Sequence, residues 1–178
     1  REQARYENAI TKLLFDIQSL LQQKNFSDFK FKKVKQGNSV GVLQISDTHF
    51  NELVSLPHNN YDFKVASRRL KHYVNRAKQI FKVYDIDNVL IAITGDLINS
   101  DRRLDEMLNM STNRSKAVFL AVDLLQQIIF DVGQDYSVSV ACVTGNESRL
   151  KQDWGWSDFM ASDNYDFVVF EILRHYFK

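Results

Sequence analysis

The chain has 178 residues, enough for one domain with a single core, and its 44% hydrophobic and 25% charged residues are the composition of a folded chain, not a disordered one. A formal net charge of +1 offers no bulk attraction to nucleic acid or to a membrane surface. The single cysteine, Cys142, excludes an internal disulfide and fits a reducing compartment; with no signal peptide and no run near the roughly 18 apolar residues of a membrane span, a cytoplasmic protein without a membrane partner is expected.

Residues 2–23 place Tyr6, Ile10, Leu13, Leu14, Ile17, Leu20 and Leu21 at helical spacing, which predicts an amphipathic helix. "FKFKKVKQGN" (29–38) alternates aromatic residues with lysine and ends at Gly37-Asn38, the pattern of a strand and a turn. Its lysines 30, 32, 33 and 35 could touch phosphates, but a solvated edge strand guarded by lysine is favoured. These two elements form a first region, 1–38, ahead of a domain at 39–178. The sequence opens at Arg1 inside a helical pattern and stops at Lys178 inside another, so a piece of a longer protein is expected.

From residue 39 a regular rhythm sets in. Strands are predicted at "SVGVLQIS" (39–46), "NVLIAIT" (88–94) and "YSVSVACVT" (136–144), and helices at 63–84, 115–131 and about 164–177. Strand, helix, strand, helix, strand predicts an α/β fold whose parallel sheet is covered on both faces. Cys142, inside the third apolar run, is expected to be buried packing. One proline and no low-complexity run leave no linker in this stretch, and no internal repeat is evident.

In open parallel sheets, ligands gather at the carboxyl ends of the strands. The first strand ends on Asp47-Thr48-His49, the second on Thr94-Gly95-Asp96, the third on Thr144-Gly145-Asn146-Glu147-Ser148-Arg149. Carboxylates, an imidazole and an amide oxygen suit divalent transition metals, which accept mixed oxygen and nitrogen ligands. Asp47 and His49 are spaced to share one cation, and a carboxylate such as Asp96 can bridge two cations about 3.5–4 Å apart. Glycine before Asp96 and before Asn146 allows a sharp turn and a close backbone approach.

"DTH", "GD" and "GNE", in this order behind apolar strands, resemble the calcineurin-like metallophosphoesterase superfamily, whose pattern is D-x-H, G-D, G-N-H-D/E and then two downstream histidine motifs. The resemblance covers residues 40–178. "GDLINSD", "GNESR" and "DNYDFVVFEIL" add a likeness to phage and bacterial members, related to the phosphoesterases of repair nucleases. The resemblance implies a layered α/β/β/α sandwich and hydrolysis of a phosphate ester, with DNA or RNA phosphodiesters the first choice, by a two-metal hydroxide mechanism. It implies two divalent ions (manganese, iron or zinc), with Asp47 and His49 on the first, Asp96 bridging and Asn146 on the second. Arg149 would clamp a phosphate, and Asn164, with Asp166, would orient site or substrate; Asp163 or Asn164 could equally be the helix N-cap.

Two departures stand out. The family's histidine after G-N is Glu147 here, which could act as a general acid or pair with Arg149. The downstream histidine motifs do not occur in these residues, and His175 lacks their context, so half a site, half of the sandwich and weak or absent activity are expected. The alternative is a degenerate, non-catalytic phosphoesterase-fold module that binds a partner. A flavodoxin-like nucleotide binder is disfavoured, because no glycine-rich loop follows the first strand. His58 in "LPHNN", His72 on a basic helix, and Trp154 and Trp156 in a polar loop are more simply read as exposed or anchoring residues than as substrate contacts.

Overall fold

Strict alternation along β1 (Val40–Ile45) buries Gly41, Leu43 and Ile45 and leaves Val40, Val42 and Gln44 outward. The computed structural model describes residues 39–150 and 161–177, all of which lie within one unit, Phe31–Lys178. The helix expected at 2–23, the basic strand at 29–38, the region 1–38 as a whole, Trp154 and Trp156 fall outside the described residues. After β1 come a short hairpin, β2 (Val54–Leu56) and β3 (Asn59–Tyr61), and then helix α1 (Phe63–Val83). Strand β4 (Asn88–Ile93), the short helix α2 (Leu104–Leu108), helix α3 (Arg114–Gly133), strand β5 (Ser137–Cys142) and helix α4 (Tyr165–Tyr176) complete the order.

The three long strands pair in parallel in the order β1-β4-β5, with Leu43 beside Ile91 and Ile91 beside Val140. Each main helix starts on a side-chain cap. Asp62 accepts the Val65 N–H at 2.7 Å, Asn113 the Lys116 N–H at 2.9 Å, and Asn164 the Asp166 N–H at 2.8 Å. Every long strand and helix expected from 39 onward is present within two residues of its expected ends.

Two expectations are corrected. Because strand order advances in one direction and such crossovers are right-handed, α1 and α3 lie on the same face of the sheet, so these helices cover one face and not both. The Phe81 ring of α1 sits against Gly41 there, leaving 2.7 Å for any added Cβ. The core fills this side: Leu43, Ile45, Val89, Ile91 and Ile93 from the sheet meet Val74 and Phe81 of α1 and Ala121, Leu125 and Val132 of α3. Helix α3 is apolar on most of its sides because it is central, touching β5, α1 and α4. The opposite face keeps Val40 and Val42 59% and 58% exposed.

The second correction is Cys142, which is exposed. It ends the edge strand β5, whose residues from Ser139 onward are open to solvent. Among the described residues no helix is long and apolar enough to cross a membrane.

Candidate metal centre at the strand ends

Pairing between the first two strands continues beyond them. The Thr94 N–H donates to Ile45 O at 2.9 Å, Asp47 N–H to Gly95 O at 3.1 Å, His49 N–H to Asp96 O at 3.1 Å and Phe50 N–H to Leu97 O at 2.8 Å. The D-x-H and G-D loops therefore run side by side, and the buried Phe50 ring, edge-on to Phe63 at 6.1 Å, anchors the end of the first. The backbone here is unusual. Among the described residues four non-glycine positions have positive φ, and three are Asp47 (52°), His49 (40°) and Asp96 (52°). L-residues adopt this region at a cost of about 1–3 kcal/mol and hold it only where surroundings enforce it, which is common at functional sites.

The third loop is drawn onto the second by glycines. A Cβ on Gly95 (φ 90°) would overlap the backbone of Gly145, and one on Gly145 would overlap the Asp96 carboxylate. That carboxylate accepts the Glu147 N–H through Oδ1 at 2.7 Å. The three motifs are thus joined through Asp96. Asp47 and Asn146 are exposed, while His49 and Asp96 are half-buried. His49 Nδ1 and Thr48 Oγ1 are buried with no hydrogen-bond partner, a condition that native structures rarely leave unexplained. Among the described residues no three His, Cys, Asp or Glu side chains are gathered closely enough to hold one ion.

No family model, no curated protein and no solved structure matches the chain.

Glu147 pairs with Arg102, Oε2 to Nη2 at 2.8 Å, and not with Arg149 as one expectation had it. Its Oε1 accepts from Asn146 Nδ2 at 2.8 Å. Both Glu147 oxygens act as acceptors, and the bond from Asn146 leaves the carbonyl oxygen of that amide as its unengaged end. Asn164 is 1% exposed; it caps α4 and donates through Nδ2 to Gly145 O at 2.9 Å, so both ends of its amide are committed inside the protein. Arg149 is tied by its backbone, bridged to Asn164 and accepting at its carbonyl. His58 sits in the turn between β2 and β3, and His72 on the exposed side of α1.

Beneath the loops lies Asp166, fully buried in the first turn of α4. Its Oδ2 accepts the N–H groups of Asp96 at 2.9 Å and Gly145 at 3.0 Å, and its Oδ1 the Leu97 N–H at 3.2 Å and the Ser148 hydroxyl at 2.7 Å. One carboxylate thereby fixes the backbones of two motif loops. Burial pushes its carboxyl above the usual carboxylate range, opposed by those four donors, Ser148 foremost.

Two further residues carry the frame and escaped the sequence reading. Arg114 is 6% exposed; it pairs with Asp101 at 2.7 Å, donates to Glu147 O at 3.1 Å and Arg149 O at 2.8 Å, and lies 4.6 Å over the Tyr165 ring. A signal existed: an arginine directly after the cap Asn113 opposes the helix dipole and needs a local reason. Tyr61 donates to Thr48 O, between Asp47 and His49; burial, mainly, pushes its phenol up to about 12. Nothing in the sequence ties Tyr61 to that carbonyl, because the pairing depends on the hairpin folding back.

Proposed function

We propose that this chain is a metal-dependent phosphoesterase domain of the calcineurin-like type, acting on a nucleic-acid phosphodiester. One observation carries it most: Asp47, His49 and Asp96, all with left-handed backbone, stand on loops hydrogen-bonded edge to edge at the ends of neighbouring parallel strands. The partnerless buried His49 Nδ1 and the glycine cradle around the Asp96 carboxylate support it. Asp47, His49, Asp96 and Asn146 are the residues that would hold divalent ions of the manganese, iron or zinc class, for which mixed oxygen and nitrogen donors fit. Bound ions of this kind supply Lewis acidity toward a phosphoryl group and activate water.

The chain's own residues set the stage for that chemistry. Asp166 holds the two loops in register, Gly145 lets the Asp96 carboxylate approach, and Glu147 turns the Asn146 amide so that its oxygen is unengaged. As a partner of Arg102, Glu147 is a positioning residue in this proposal and not the proton donor. The exposed face around Val40 and Val42 is the side on which the second sheet of an α/β/β/α sandwich would pack.

A degenerate binding module is the second reading, favoured by the Glu147–Arg102 pair at the position of the expected histidine. Manganese-dependent hydrolysis of bis-p-nitrophenyl phosphate separates the two. Hydrolysis that falls about 100-fold or more in Asp96→Asn and within about threefold in Glu147→Gln is the expected result. No hydrolysis above background at saturating manganese would favour the binding module. Equal losses in both variants, with metal content intact in Glu147→Gln, would make Glu147 the acid.

A further inference from the structure

The chain's near-neutral charge conceals a separation. Helix α1 carries Lys64, Arg68, Arg69, Lys71, Arg76, Lys78 and Lys82 and no acidic residue. Only Lys78, among the described residues, pairs its charge with carboxylates, those of Asp131 and Asp135 on the α3 side. The others stand on the exposed surface of a helix about 30 Å long. Lys64 and Arg68 are like charges at i,i+4, and such a pair costs a few tenths of a kcal/mol in water. An anion along this face would turn that repulsion into attraction.

The face is also joined to the candidate site. Arg68, Arg69, His72 and Arg76, with Val65 and Tyr73, line a shallow groove along α1. The Arg69 guanidinium lies 5.6 Å over the Tyr61 ring, and the Tyr61 hydroxyl bonds Thr48 O in the D-x-H loop. One side chain, Tyr61, therefore lies between the groove and the loop that carries Asp47 and His49. Arg68, His72 and Arg76 recur at i, i+4 and i+8, about 6 Å apart along the axis, a linear row of donors that includes two guanidinium forks suited to phosphate oxygens.

We propose that this groove on α1 holds the phosphate backbone of the nucleic-acid strand whose scissile ester lies at Asp47 and Asp96, a proposal that rests on the phosphodiesterase function above. A polyphosphate chain fits better than a lipid surface. The apolar stripe of α1, including Phe63, Ala66, Val74 and Phe81, is buried in the core, and the apolar residues the helix leaves exposed, Tyr73, Ile80 and Val83, are too few for the broad apolar face that enters a bilayer. Phosphate contacts of this kind position a strand without reading its sequence.

The test uses the full chain and the double variant Arg68→Gln/Arg76→Gln, two exposed positions outside the metal site. Anisotropy of a short labelled single-stranded DNA is followed from about 50 to 200 mM salt, beside turnover of bis-p-nitrophenyl phosphate and binding to phosphatidylserine vesicles. The expected result is about tenfold weaker DNA binding and a salt slope shallower by about 1.4, two contacts at 0.7 each, with turnover of the small ester unchanged. Undetectable binding by the unaltered chain, or equal binding by both proteins, overturns the proposal. Vesicle binding stronger than DNA binding and lost in the variant overturns it in favour of a membrane surface. DNA binding lost in the variant, with no ester hydrolysis by either protein, leaves the groove standing and favours the binding module over the enzyme.

Discussion

Replacing Asp166 gives the sharpest test of how the two motif loops are held. The carboxylate is fully buried and accepts three backbone N–H groups and one hydroxyl, at 2.7–3.2 Å. Asp166→Ala strands three donors, one buried and two part-buried, each worth about 1–3 kcal/mol when unsatisfied, although water entering the space will meet some of them; a net loss of about 4 kcal/mol is expected. Asp166→Asn keeps the volume but must turn its NH2 toward one pair of donors. Facing Oδ2's partners it would meet two N–H groups; facing Oδ1's partners it meets only the Leu97 N–H, since the Ser148 hydroxyl can rotate to accept. The amide takes the second orientation, with one lost bond and one donor–donor contact, about 2 kcal/mol. With a urea m-value of about 2 kcal/mol/M, unfolding midpoints of the full chain should fall by about 1 M for Asn and 2 M for Ala, followed by circular dichroism. An Asn variant within about 0.5 kcal/mol of the unaltered protein would show that Asp166 does not fasten these loops.

Gly145→Ala puts a Cβ onto the Asp96 carboxylate, so the loop must shift; about 2 kcal/mol and roughly 4–8 °C in Tm should be lost, and an unchanged melting temperature would deny the contact. Cys142 sets exposure against desolvation: the residue is open to solvent, yet desolvation pushes its thiol up to about 11 from an ordinary 9.0. At pH 8 its thiolate fraction is then about one hundredth of an ordinary thiol's; the higher nucleophilicity of a more basic thiolate offsets part of this, so reaction with a disulfide reagent should be slower by about 10–15-fold and rise tenfold per pH unit up to about 11. A rate equal to that of free cysteine would mean that exposure governs.

The residues from 39 onward determine the order of long elements by themselves. Period-two alternation in β1, a continuous apolar run in β4 and helical periodicity in α1, α3 and α4 are local signals, and strong ones. They also place Asp47, His49, Asp96 and Asn146 at strand ends, since parallel strands joined by helices put those loops on one side of the sheet. Which face of the sheet the helices cover was not local: it follows from strand order, β1-β4-β5, which no single segment encodes. Cys142 was misjudged for the same reason, because an edge strand and a central one carry similar residues. The hairpin after His49 was hidden in "VSLPHNNY", too short for periodicity to register. The supports of the site were least legible of all. Asp166 grips backbones 70 and 21 residues away, and Arg114 reaches carbonyls 33 and 35 residues away. A hydrogen bond to a distant N–H or carbonyl leaves no mark on the partner's identity, because every residue but proline offers the same backbone groups; only folding decides which of them meet.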